Sequence, residues 1–169
     1  MPELTIRYAR LGDLPRLTAI YNHYVRVSQA TFDERCLEPS ERRGWFEAYR
    51  EAGPYRLLAA EEGVVVGYAS SNQYREHPAF RDTIETSVYV DAAAVGRGVG
   101  RALYGELFLR LRGEALHRAL AGIALSNAPS IALHKRFGFR EIGVFDEYAC
   151  KNGKRISSMW MEKALDGAW

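Results

Sequence analysis

No stretch of the sequence approaches the about 20 consecutive apolar residues that a membrane-spanning helix needs, which sets a helical membrane protein aside. Cysteine is scarce: Cys36 and Cys150 form no CxxC pair and fit no zinc spacing. A disulfide scaffold and a zinc module are therefore not expected, and no metal is; the pair reads as two reduced thiols of a cytosolic protein. The opening segment, Met1 to Arg7, lacks an apolar signal region, so the expected location is the cytoplasm. Neither sign of charge dominates. Lys plus Arg is 23 and Asp plus Glu is 21, a net +2, which is too close to balance to argue for nucleic acid or an anionic membrane as the main partner. There is no internal repeat, no low-complexity segment and no linker, so residues 1–169 are expected to form a single domain.

What is present is ordinary globular material: 47% hydrophobic and 26% charged residues, enough to bury a sizeable core. Leu4 to Tyr8 alternates like a strand. Asp13 is placed to cap a helix with Pro15 in its first turn, and Leu14, Leu17, Ile20, Tyr21, Tyr24 and Val25 follow at helical spacing. Gln29 to Asp33 is a link. Ser40 is expected to cap a second helix that carries Trp45, Phe46 and Tyr49 and stops near Gly53-Pro54. Tyr55 to Ala60 and Val64 to Ser70 read as strands joined by a hairpin turn at Glu61 to Gly63. Ser71 to Asp82 has no clear period and reads as a loop. Thr83 to Val90 is a strand, Arg101 to Leu111 an amphipathic helix, Ala119 to Leu125 a strand, and Ala128 to Phe137 a short helix ended by Gly138. Phe139 to Tyr148 and Ile156 to Glu162 close the chain as strands joined at Asn152-Gly153. The resulting order, β-α-α-β-β-β-α-β-α-β-β, predicts an α/β (α+β) domain. Its sheet is mixed, antiparallel early and with a parallel pair across the right-handed crossover after Thr83.

The most informative stretch is the one in which the strand ending at Val90 runs into Gly96, Gly98 and Gly100 and then a helix. Such a turn aims several backbone N–H groups at one point and adds the partial positive charge of the helix N-terminus, which suits a phosphate or pyrophosphate. Glycine suits it because side chains would block close approach and positive φ is expected. The dinucleotide fingerprint G-x-G-x-x-G fails, since the third glycine would fall at Arg101 or Leu103. A P-loop fails as well, because Glu106 and Leu107 follow Gly105.

Further along come Ser126, Asn127, Ser130, His134 and the closing Gly138-Phe139. This pair of segments resembles the GNAT acetyltransferase superfamily, whose pyrophosphate loop reads (Q/R)-x-x-G-x-(G/A) and whose later motif reads N-x-x-(S/A)-x-x-x-Y-x-x-x-G-F. Ile20-Tyr21-Asn22, Ala30-Thr31-Phe32, Trp45-Phe46, Gly67 to Ser70, Glu85 to Val90 and Leu133-His134 narrow the resemblance to the phosphinothricin and methionine sulfoximine acetyltransferase branch, over about Ile6 to Met161. Three positions depart from the pattern. Val95 stands where the loop leads with Gln or Arg, His134 replaces Tyr, as is common in this branch, and Lys151 to Ser157 lacks the Trp and Asp of a K-F-G-R-W-x-D-like stretch.

The resemblance implies a GNAT fold with a splayed mixed sheet and acetyl-CoA held where two parallel strands part. The backbone of Val88, Tyr89 and Val90 would pair with the pantetheine arm. Gly96, Arg97, Gly98, Val99, Gly100 and Arg101 would cradle the pyrophosphate, and Asn127 would add a contact. Glu85 is the candidate base, or a group that orients the substrate ammonium. His134 is the candidate to protonate the CoA thiolate or to hold it. Arg75, Glu76, His77, Glu85, Thr86 and Ser87 would line the acceptor site, Arg75 gripping a carboxylate, and Phe32 is an apolar wall or a core residue. A homodimer is implied by analogy, and the acceptor is expected to be a small-molecule amine. A GNAT enzyme for other amines or protein amino groups and a non-catalytic CoA-binding regulatory domain are the competing readings.

Overall fold

The computed structural model describes residues 3–165. Seven strands, β1 (Thr5–Tyr8), β2 (Leu57–Glu62), β3 (Val64–Gln73), β4 (Thr83–Val90), β5 (Arg118–Ala124), β6 (Arg140–Lys151) and β7 (Lys154–Ala164), form one sheet in the order β1-β2-β3-β4-β5-β7-β6. The helices are α1 (Leu14–Val27), α2 (Arg43–Glu47), α3 (Val99–Arg110) and α4 (Ala128–Arg136). Among the described residues β4 and β5 are the one parallel pair and every other pair is antiparallel. The mixed sheet and its parallel pair are as the sequence predicts.

Strand alternation sorts the core onto two faces. Leu58, Ala60, Val66 and Ala69 pack with Val99, Leu103 and Leu107 of α3. Leu57, Ala59, Val65 and Tyr68 pack with Leu17 and Ile20 of α1. Gly67 lets α3 lie close to the sheet: a Cβ there would meet the Tyr89 carbonyl oxygen at 3.0 Å and Val99 Cγ1 at 3.1 Å.

Several local expectations are corrected. Asp13 does not cap α1 with its side chain; its carboxylate instead accepts from Arg7 and from the Arg10 N–H, closing a 3-10 turn over Leu11–Asp13. Ser40 lies inside a second 3-10 turn, Pro39–Arg42, opened by Glu38. The helix that follows ends at Glu47, short of Tyr49 and of Gly53-Pro54. The Ser71 to Asp82 loop is in part strand, because β3 runs to Gln73, and a 3-10 turn spans Pro78–Phe80. Polarity hid that extension: Ser71 is fully buried, but its hydroxyl accepts from the Arg56 N–H at 2.9 Å and donates to the Pro54 carbonyl at 2.7 Å. The third helix starts at Val99, so Gly100 sits within its first turn.

Candidate active site

The central geometric fact is where β4 and β5 stop pairing. They are bonded at Thr83↔Arg118, Ile84↔Ala119 and Glu85↔Leu120. Both strands continue, to Val90 and to Ala124, without further pairing between them. The gap is a cleft of about 510 Å³. Thr86 to Val90 form one wall and Ala121 to Ala124 the other. Gly96, Gly98, Gly100 and Arg101 close one end, and Asn127, Leu133 and His134 face it from α4.

The glycine turn opens this cleft at the N-terminus of α3. Gly96 (φ 80°) and Gly98 (φ 83°) are left-handed, a conformation that β-branched residues all but exclude, and Gly98 is the residue before the helix. Gly100 is helical. An added Cβ there would make ordinary contacts with Leu133, Val90 and Val88 inside the cleft, so the space itself is what this glycine leaves. Arg97 turns its side chain to Glu62 and gives its N–H to the Ala94 carbonyl oxygen at 3.3 Å, so it closes the turn and leaves neither group free for a ligand, against the expected contact. Asp91, held by Arg16, accepts from the Ala93 N–H at 2.8 Å and fixes the approach to the turn. A donor-rich end, an apolar middle of Val88, Val90, Ile123 and Leu133, and a polar far end fit a pyrophosphate with a long arm.

Along β4 the side chains alternate. Tyr89 packs with Tyr21 and Tyr24 of α1, so Glu85 and Ser87 share the α1 side. Thr86 contacts Tyr104 of α3, so Thr86, Val88 and Val90 share the opposite side. Opposite Glu85 in the register stands Asn72, whose amide donates to the Glu85 carbonyl oxygen at 3.1 Å. The Tyr49 hydroxyl, pushed up to about 12 chiefly by burial, donates to Asn72 Oδ1. Burial alone raises the Glu85 carboxyl above its ordinary value, because the charged form loses water.

His134 is 2% exposed, and both of its ring nitrogens are engaged. Nδ1 lies 2.7 Å from the Ser130 carbonyl oxygen and Nε2 lies 2.8 Å from the Tyr104 hydroxyl. Burial lowers its proton affinity below the ordinary value, opposed by the bond to Ser130.

The other expected residues are spread more widely. Arg75 and Glu76 are exposed just past the end of β3, at the same end of the sheet as Glu85, and do not line the cleft. Arg75 lies over the rings of Tyr74 and Phe80, and His77 accepts from the Ala79 N–H at 3.1 Å. Phe32 is 45% exposed and packs edge-on to Tyr148, so it is not core.

Two residues escaped sequence reasoning. Tyr104 follows Gly100 by one helical turn, and that spacing was its only signal. Lys151 is 4% exposed and donates to the Ser28 and Thr31 carbonyls, each at 2.8 Å. It pins the Ala30–Phe32 link from the far side of the chain. Its neighbour Asn152 gives its N–H to Glu34 at 2.6 Å. A second cleft of about 480 Å³, which includes Arg26, Lys151 and Lys154, shares Ala30, Ala124 and Asn127 with the first. Among the described residues no cluster of three or more His, Cys, Asp or Glu is arranged to hold a metal, and no helix is long and apolar enough to cross a membrane.

Comparison with known proteins agrees with this geometry. The acetyltransferase (GNAT) family model matches residues 17–139. A phosphinothricin N-acetyltransferase of Streptomyces coelicolor is 46% identical over 96% of this chain and 97% of its own. An L-methionine sulfoximine/L-methionine sulfone acetyltransferase of Salmonella typhimurium is 37% identical over 96% and 95%. A GNAT superfamily phosphinothricin acetyltransferase of Sinorhizobium meliloti, solved in complex with acetyl-CoA, superposes with a TM-score of 0.89 at 31% identity. It covers 96% of this chain and 88% of its own.

Proposed function

Because the chain belongs to the acetyltransferase (GNAT) family, we propose that it acetylates the amino group of a small amino-acid-like acceptor of the phosphinothricin, methionine sulfoximine or methionine sulfone type. It is an N-acetyltransferase, and acetyl-CoA is its cosubstrate. The observation that carries the acceptor-site reading is the parting of β4 from β5 immediately after Glu85, between a glycine-lined helix N-terminus and His134.

Acetyl-CoA supplies a thioester. Transfer forms an N–C bond, breaks a C–S bond and moves one proton from nitrogen to sulfur. The N–H groups of the 96–101 turn other than that of Arg97 hold the pyrophosphate, the Val88 to Val90 edge that β5 leaves unpaired takes the pantetheine arm, with the Val90 carbonyl already held by the Tyr24 hydroxyl, and Asn127 adds a contact. A backbone N–H near Val88 polarises the carbonyl, a type of contribution worth ~3 kcal/mol. Glu85 takes the proton of the amine, directly or through water; its burial, which raises its proton affinity, supports that role. His134 serves the leaving sulfur. Arg75, outside the cleft but at the same end of the sheet as Glu85, receives the carboxylate of the acceptor, and Glu76, His77, Thr86, Ser87 and Phe32 are the other acceptor-site residues of this reading; that the Arg75 guanidinium makes no ion pair among the described residues supports it.

The protein acts in the cytoplasm, which the two free thiols of Cys36 and Cys150 favour. It works as a homodimer. What supports the dimer is the edge strand β6, where Ile142, Val144, Phe145 and Tyr148 are 45–57% exposed, an unusual apolar concentration for a free sheet edge.

The test is CoA thiol release from acetyl-CoA with phosphinothricin, methionine sulfoximine, methionine sulfone, ordinary amino acids and polyamines. Turnover with the first three is expected. Turnover confined to polyamines overturns the acceptor class and keeps the chemistry.

A further inference from the structure

The contacts of His134 limit how it can serve the leaving sulfur. Its Nδ1 faces the Ser130 carbonyl oxygen at 2.7 Å. A carbonyl only accepts, so the proton of the ring sits on Nδ1. In the neutral ring Nε2 is then an acceptor, and the Tyr104 hydroxyl fills it at 2.8 Å. A phenol has one proton. That proton serves one partner at a time: it goes to a bare Nε2 or, when Nε2 itself carries a proton, to Thr86 Oγ1, the direction in which the 3.2 Å contact runs. Tyr104 is fully buried and Thr86 is 4% exposed, so no bulk water competes along the chain. Thr86 and His134 line the cleft, and Tyr104 does not. The ring itself is wedged edge-on between Tyr104 and Phe139, with centroids 5.1 and 5.0 Å away. Neither nitrogen of His134 is left over for a ligand.

We propose that Tyr104 is the positioning residue through which Nε2 of His134, whose ring borders the cleft but whose nitrogens are both engaged, acts on the cleft, with the Thr86 hydroxyl as the group that meets the leaving sulfur. This rests on the reading that His134 serves that sulfur. When His134 carries a second proton, Nε2–H donates to the Tyr104 oxygen and Tyr104 donates to Thr86 Oγ1. Nε2–H passes to the Tyr104 oxygen, the Tyr104 proton to the Thr86 oxygen and the Thr86 proton to the thiolate. Both hydroxyls end as they began and His134 ends neutral. Water in the cleft returns the proton by the same route between turnovers.

Two measurements test it. Nitrogen-15 spectra of the wild-type His134 ring are expected to give a protonated Nδ1 and a bare Nε2; a neutral ring protonated on Nε2 overturns the arrangement. Steady-state kinetics of Tyr104→Phe, His134→Asn and the double variant form a cycle. His134→Asn keeps a donor toward Ser130. Each single change is expected to lower kcat about tenfold or more while KM for acetyl-CoA stays within about twofold, and the double variant is expected to fall no further. If Tyr104→Phe keeps the wild-type kcat while His134→Asn loses it, His134 acts without Tyr104 and the inference fails alone. If His134→Asn keeps kcat, the underlying reading of His134 fails. Losses that multiply in the double variant mean independent roles and overturn the link.

Discussion

At the scale of single residues, the site contrasts a half-buried carboxyl and a buried imidazole. Glu85 holds its proton more tightly than an exposed carboxyl and His134 holds its second proton less tightly, both because burial disfavours charge. An α-amino acceptor with a pKa of about 8 is about a tenth neutral at pH 7 and mostly neutral at pH 9. Glu85→Gln should therefore lower turnover by about 10–100-fold at pH 7 and by less at pH 9; equal losses at both would remove the base role. Stability moves the other way. The native state binds the Glu85 proton more tightly than the unfolded chain does, so this residue's contribution is fullest below the ordinary 4.5 and is lost as pH rises through the raised native value. Glu85→Gln should accordingly melt higher than wild type at pH 8, with the gain shrinking toward pH 4. Thermal melts at both values check the sign.

At the scale of elements, two joints hold the cleft open and in register. The first is α3 against β3 at Gly67. A Cβ there is within 3.3 Å of a backbone oxygen and of two side chains of α3, so Gly67→Ala pushes the helix off the strand. The expected cost is about 1–3 kcal/mol, typical of overpacking, read by chemical denaturation. The turn at the helix N-terminus moves with α3, so KM for acetyl-CoA should rise as well. The second joint is the β6–β7 hairpin against the Ser28–Thr31 link. Removing the Lys151 ammonium leaves two carbonyls without their donor. Lys151→Met should cost about 1–3 kcal/mol and raise KM for the acceptor, since the Ala30–Phe32 segment loses its anchor. An unchanged denaturation midpoint would mean that solvent replaces the clamp.

At the scale of the molecule, the sheet ends on an edge where exposed Ile142, Val144, Phe145 and Tyr148 stand among the charged Arg140, Glu141, Asp146 and Glu147. Residues 140–148 of β6 are exposed, and the register breaks between Glu141 and Gly143 and again between Phe145 and Ala149. Such breaks turn an edge away from indiscriminate strand pairing and leave its side chains to make the contact. Light scattering should return twice the chain mass, and Phe145→Glu combined with Ile142→Lys should halve it without changing the circular dichroism. A wild-type chain that elutes as a monomer at micromolar concentration would end the dimer proposal.

The sequence by itself determined what lies within one element or one turn. The bounds of Thr83–Val90 are read to the residue, and the left-handed Gly96 and Gly98 and the helix from Asn127 to the Gly138-Phe139 close follow from local periodicity and φ preference. The same locality explains the errors. Ser71 looks like a loop residue until Arg56 and Pro54 satisfy it, and Asp13 looks like a cap until Arg7 claims its carboxylate. Only the tertiary structure decided where β4 leaves β5, which face of the sheet Glu85 and Thr86 each serve, and that Arg75 stands apart from the cleft. It alone decided that Lys151 reaches back to Thr31 and that Tyr104 stands between His134 and Thr86. The physical reason is common to all of these. Backbone preferences are properties of neighbours in sequence, whereas burial, proton affinity and hydrogen-bond direction sum over partners that only the folded chain brings together.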